Sequence, residues 1–141
     1  MAPNKHYKFG KDKDGAKALK ADLPDGEKAV GIWNLHVLVF PEGKGWFAQA
    51  FEIDYGVQGE SSEEVKERFQ QGLAATIQHN VDIYGSIENM LHPNPDYYTL
   101  KAENEGESYD YSCVEVFGVS EKLAGTFTNI EYETVRQGIA A

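Results

Sequence analysis

The apolar residues of this chain fall into blocks whose spacing changes from strand-like to helical and back. In residues 32–40 (IWNLHVLVF) both alternating sets are largely apolar. Trp33, Leu35, Val37 and Val39 form one set, and Asn34, His36, Leu38 and Phe40 the other, as in a central strand covered on both faces. Pro41 stops the block, and Glu42-Gly43-Lys44-Gly45 supplies the glycines that a tight hairpin requires. Residues 46–53 (WFAQAFEI) read as the returning strand. Asp54-Tyr55-Gly56 then bends the chain, and Val57-Gln58-Gly59 forms a short third strand.

The period then becomes helical. Val65, Phe69, Leu73, Ile77, Val81 and Tyr84 recur at spacings of three and four, which puts them on one stripe of a helix. Ser61 with Glu64 three residues on makes a capping box, Glu63, Glu64 and Glu67 suit the positive end of the helix dipole, and Gly85 terminates the run. Gly72, beside the stripe, allows close approach to the sheet. Residues 86–91 allow one further turn before Pro93 and Pro95. The last third reads as β: a strand over residues 97–102, an acidic turn at 103–107, and strands over 109–117 and 126–135. The final strand alternates so that one face is wet.

The expected architecture is therefore α+β: an antiparallel sheet packed by one long amphipathic helix in the order β-β-β-α-β, with extra C-terminal strands. Residues 1–30, with Asp14-Gly15 and Leu23-Pro24-Asp25-Gly26 as turn signals, read as a flexible arm, and residues 31–141 as a single domain.

Charge sharpens this division. The 141 residues carry a net −10, but six lysines against Asp12 and Asp14 leave the first 20 residues at +4, so the other 121 carry −14. Such an acidic body repels phosphate backbones and attracts basic partners, so direct DNA binding is not expected. The arm reads as solvated, with contact to RNA or to a neighbouring subunit as the alternative. One cysteine, Cys113, excludes an intrachain disulfide framework, and no run is long and apolar enough for a membrane span or a secretory signal. A cytoplasmic protein is expected.

Residues 46–73, WFAQAFEIDYGVQGESSEEVKERFQQGL, resemble the central signature of HicB-like antitoxins: an aromatic-rich strand, an acidic loop, then Gln58-Gly59-Glu60-Ser61 with Glu63-Glu64 opening an amphipathic helix. The hairpin with Pro41 and Gly43 fits as well, and the resemblance extends over about residues 33–84. It implies a partial ribonuclease-H-like fold without the nuclease carboxylates. It also implies a small basic toxin as partner, an mRNA interferase of double-stranded-RNA-binding fold whose active surface the antitoxin covers. Many such antitoxins add a DNA-binding domain. Here the chain after Tyr84 has neither a second long helix nor a basic recognition segment.

No catalytic constellation emerges from the residues. The first strand lacks acidic residues, Glu52, Asp54 and Glu60 read as turn and capping carboxylates, and the four histidines lack ligand spacing, so no metal or cofactor is expected. Cys113 reads as a buried, inert thiol, His36 as an edge or partly buried strand residue, and His79 as lying on the polar side of the helix. The chain is thus expected to bind a small basic protein through Glu52, Asp54, Tyr55 and Glu60 with Glu63, Glu64 and Glu67 adjacent, without being an enzyme. The alternatives are a stand-alone inhibitor of a nucleic-acid-binding protein, such as a phage anti-defence factor, and a small-ligand binder using Tyr97, Tyr98, Tyr109 and Tyr111. Exposed strand edges in the tail predict a homodimer or larger assembly.

Overall fold

The near-continuous apolar block around residue 35 lies at the centre of the sheet. The computed structural model describes residues 16–136. Strands β1 (Lys17–Asp22), β2 (Lys28–Glu42), β3 (Gly45–Ala50) and β4 (Gly56–Gly59) precede helices α1 (Ser62–Tyr84), α2 (Ile87–Met90) and α3 (Pro95–Glu103). Strands β5 (Tyr109–Gly118) and β6 (Gly125–Val135) follow. Among the described residues six strands make one sheet in the order β4-β3-β2-β6-β5, with β1 added to β2. β6 occupies one edge of β2 from Ala29 to Val39. The opposite edge is shared: β1 takes residues 28–33 of β2, and β3 takes residues 37–42.

The pairing of β2 with β6 is parallel, so the sheet is mixed and not antiparallel throughout as the pattern predicted. The physical reason is that α1, α2 and α3 carry the chain away between β4 and β5. A long crossover is what allows a later strand to run alongside an earlier one in the same direction.

A bulge divides β2. Ile32 opposes Thr128 but Leu35 opposes Ile130, one extra residue on β2, and Asn34 adopts φ 69°. Asparagine tolerates this left-handed conformation better than most residues. The insertion reverses the parity of the strand: Val30 and Ile32 face α1 before the bulge, and Leu35, Val37 and Val39 face it afterwards. Trp33, grouped with Leu35 by simple alternation, is consequently exposed.

Helix α1 follows its sequence signals closely. The Ser61 hydroxyl accepts from the Glu64 N–H at 3.0 Å, and Glu64 reaches back to the N–H of Glu60 at 2.6 Å. Gly85, at φ 81°, closes the helix by donating its N–H to the Val81 carbonyl. Val65, Phe69, Leu73 and Ile77 are buried against the sheet, Val81 is half-buried and Tyr84 lies beyond the core. Gly72 serves the packing differently from expectation. A Cβ there would sit 2.5 Å from the Tyr55 hydroxyl, which donates to the Phe69 carbonyl. The missing side chain makes room for a tyrosine and not for the sheet.

Three expectations are corrected. Residues 97–102, read as a strand, lie in α3, because Asn94 accepts from the Asp96 N–H and Pro95 occupies the first turn, where its missing N–H costs nothing. Residues 17–22, assigned to the N-terminal arm, form β1, whose Ala18 packs on the core; residues 1–15 of the arm lie outside the described residues. The returning strand also stops earlier, at Ala50, with bends over residues 51–54. No helix among the described residues is long and apolar enough to cross a membrane.

Candidate functional site

The helices cover the two faces of the sheet unequally. α1 lies over one face. On the other, α3 covers a single end, where Tyr97 packs with Leu38, Phe40, Phe51 and Val135. Among the described residues no element covers the remainder, which is ordered in rows across the strands. One row runs Leu19, Gly31, Phe127 and Phe117 across β1, β2, β6 and β5; another runs His36, Glu131 and Cys113; a third runs Leu38, Glu133 and Tyr111.

The middle row contains the most unusual chemistry. Between the spans taken by β1 and β3, no strand among the described residues lies beside that edge of β2, and the chain at Phe51-Glu52 fills the gap. The Phe51 N–H donates to the His36 carbonyl at 2.9 Å, and the His36 N–H donates to Glu52 Oε1 at 2.8 Å. Glu52 Oε2 lies 2.6 Å from His36 Nδ1. The carbonyls of Glu52 and Phe51 accept from the N–H groups of His92 and Asn94, which tie this segment to the start of α3. Glu52 has no solvent exposure, so its charge requires a partner.

Burial pushes the Glu52 carboxyl above its ordinary range, and the hydrogen bond and charge of His36 pull it down only in part. For His36, burial pushes the imidazole down, but the hydrogen bond and charge of Glu52, followed by the charges of Glu131 and Glu133, outweigh it, and the net direction is up. The other ring nitrogen, Nε2, lies 3.8 Å from Glu131. Both N–H groups of a protonated ring thus face carboxylates.

His36 opens into a depression of about 410 Å³ lined by Tyr111, Ser112, Cys113, Glu131, Tyr132 and Glu133. Glu133 is held by the Tyr97 hydroxyl at 2.8 Å and by Lys101 at 2.6 Å. Cys113 is exposed, which corrects the expectation of a buried thiol, and its sulfur accepts from Asn129 at 3.7 Å. It lies two strands from His36, about 10 Å away at the usual strand spacing, well beyond the roughly 3 Å that proton transfer needs. The arrangement presents a basin walled by Glu131 and by Glu133 paired with Lys101, with the buried His36–Glu52 pair at its floor. Among the described residues no group of three or more His, Cys, Asp and Glu side chains is placed to hold a metal ion.

The residues chosen from sequence separate into three places. Glu52 is buried under the strand edge, which removes it from any contact surface. Asp54 is exposed and lines a groove with Thr76, His79 and Tyr84, beside the C-terminal half of α1. Tyr55 is half-buried with its hydroxyl on the Phe69 carbonyl. Glu60, Glu63 and Glu67 are exposed at the other end of α1, with Glu64 partly engaged as the cap. Asp54 therefore lies roughly 20 Å along the helix from Glu63, given a rise of about 1.5 Å per residue. His36, Glu131 and Glu133 were missed. Their signal was an ionisable residue set inside an apolar strand, His36 in IWNLHVLVF, paired with another, Glu52, in WFAQAFEI.

Compared with known protein families, with characterised proteins and with solved structures, the chain matches none.

Proposed function

We propose that this chain is a non-catalytic, cytoplasmic protein-binding module of HicB-like type that neutralises a small basic toxin or ribonuclease by covering its active surface. The observation that carries the reading is the succession β2, β3, β4 and α1. The residues resembling the antitoxin signature fall on β3, β4 and α1, neighbours in space as well as in sequence. Three antiparallel strands, a helix laid on them and a later strand parallel to the first support a partial ribonuclease-H-like arrangement. The rim of α1 formed by Glu60, Glu63 and Glu67 supplies negative charge at an exposed helix end, where a basic surface is attracted and RNA is repelled.

The test uses a small basic ribonuclease of double-stranded-RNA-binding fold from the same genome. Equimolar chain suppresses its RNA cleavage, and Glu63→Lys with Glu67→Lys slows association at least tenfold at low salt while leaving the thermal melt in place. Complete cleavage in the presence of a tenfold excess of the chain refutes the reading.

A further inference from the structure

β5 is the last strand of the sheet. β6 takes one edge of it over its full length, from Tyr109 opposite Val135 to Gly118 opposite Thr126, without a register shift. Among the described residues no strand takes the other edge. Natural sheets guard such an edge by shortness, proline, lysine or a bulge, because its free N–H and C=O groups are a template for another strand. β5 has none of these guards. It is ten residues long, YDYSCVEVFG, and its only charges are Asp110 and Glu115. Asp110 is itself paired with Arg136 at 2.7 Å. The three most exposed large apolar side chains among the described residues are on this strand or one residue past it: Tyr111 at 71%, Phe117 at 73% and Val119 at 74%.

We infer that a second copy of this chain covers this edge, with β5 pairing antiparallel to β5 about a two-fold axis normal to the sheet at Val114. Such an axis keeps the open faces of both copies on one side, so residues of equal parity oppose each other. With the axis at Val114, Tyr111 meets Phe117 of the second copy, Tyr109 meets Val119, and Cys113 meets Glu115. Each of these pairs occurs twice, and no charge directly opposes its like. Centring on Cys113 sets Tyr111 against Glu115 and leaves Val119 past the end. The Val114 register also lengthens an apolar row already present: Leu19, Gly31, Phe127 and Phe117 line a trough of about 310 Å³, and Tyr111 of the second copy follows next. Phe117 is already seated on Phe127, ring centroids 4.9 Å apart.

Four aromatic side chains of about 150–250 Å² each, together with two strand edges, bury on the order of 1,000 Å², the lower end for a specific interface. An interface of that size fits a weak, reversible dimer. Because both copies are acidic, salt strengthens this association by screening their repulsion, whereas it weakens binding to a basic partner. The two readings therefore fail separately.

Sedimentation of the full chain at about 100 μM, in low and high salt, tests the inference. The expected result is a dimer fraction that rises with salt and falls at least tenfold in Tyr111→Lys with Phe117→Lys, both exposed positions whose far-ultraviolet spectrum shows that the fold persists. In a Cys113→Ser background, Val114→Cys places its thiol at the axis and cross-links on mild oxidation. A monomer in both salts, or a dimer indifferent to the lysine pair, overturns the inference. A cross-link through native Cys113 and none through residue 114 overturns the Val114 axis.

Discussion

Glu52→Gln isolates what the buried pair contributes. The carboxylate accepts from the main-chain N–H of His36 at 2.8 Å and lies 2.6 Å from its Nδ1, with no exposure to solvent. Glutamine keeps the volume and leaves an oxygen for the main-chain N–H, but it removes the charge and sets an amide NH2 against Nδ1, where the ring must accept in its neutral form, so both interactions turn from charge-assisted to neutral. Hydrogen bonds to charged groups contribute about 1.5–3 kcal/mol and neutral ones about 0.5–1.5, so the variant loses roughly 1–2 kcal/mol near pH 6. For a domain of this size that corresponds to a fall in Tm of about 4–8 °C. Glu52→Ala also leaves the His36 N–H without its acceptor and opens a cavity, for a loss of about 3–5 kcal/mol.

The pH dependence separates this account from simple packing loss. His36 has a folded pKa above 6.5, so its contribution is fully present below 6.5 and is lost as pH rises through the folded value. The Glu52 carboxyl is also raised, above 4.5, and acts in the same direction, since rising pH forces a charge into a buried site. Wild-type stability therefore declines from pH 6 to pH 9, while Glu52→Gln, which cannot ionise, declines less. Thermal melts or urea titrations at pH 6, 7, 8 and 9 show a gap that is widest at pH 6 and closes with pH. A gap of constant size, or a Gln variant as stable as wild type at pH 6, refutes the reasoning.

Two further substitutions test the close approaches. Gly72→Ala improves helix propensity by about 1 kcal/mol, yet its methyl sits 2.5 Å from the Tyr55 hydroxyl and displaces it from the Phe69 carbonyl, so in the wild-type background the change is neutral or destabilising by up to about 1 kcal/mol. With Tyr55→Phe the nearest ring atom is 3.6 Å away and the same change stabilises by about 1 kcal/mol, a reversal that urea titration of the double-mutant cycle detects. Gly31→Ala puts a methyl 1.9 Å from the Phe127 carbonyl oxygen, main chain of the paired strand, and costs at least about 3 kcal/mol by separating β2 from β6; denaturant midpoints within about 1 kcal/mol of wild type refute it.

What the sequence made legible was local. The capping box at Ser61 and Glu64, the stripe from Val65 to Ile77 and the glycine stop at residue 85 are written within a few residues of one another, and all appear as read. The misreadings share a non-local cause. Apolar alternation cannot register the extra residue at Asn34, because a bulge is defined by the partner strand it fails to match. β1 is mostly exposed, so it carries no apolar period and becomes a strand only by pairing with β2. Residues 97–102 carry two tyrosines that favour strand, but the cap and the proline in front of them decide otherwise. For the candidate site, sequence neighbours diverged: Glu52 turned inward, and Asp54, two residues on, outward to a different groove.

Burying an ion pair is seldom the most stable solution, and well-packed apolar residues often do better. The gap on β2 explains why that exchange is not open here. Position 36 presents a main-chain N–H and C=O on an edge that β1 has left and β3 has not yet reached, and an apolar side chain at position 52 could not accept from that N–H. Phe51 supplies the donor through its N–H, and Glu52 the acceptor through its carboxylate. With a buried carboxylate as that acceptor, a cation beside it offsets the charge, and the imidazole of His36 stands next to the N–H that the carboxylate accepts. The same two-residue segment receives the N–H groups of His92 and Asn94, so the register of β2, the course of residues 51–54 and the start of α3 are set together. The open face owes its shape to this junction, because α3 departs from it to cover one end of the sheet and leaves the acidic basin exposed.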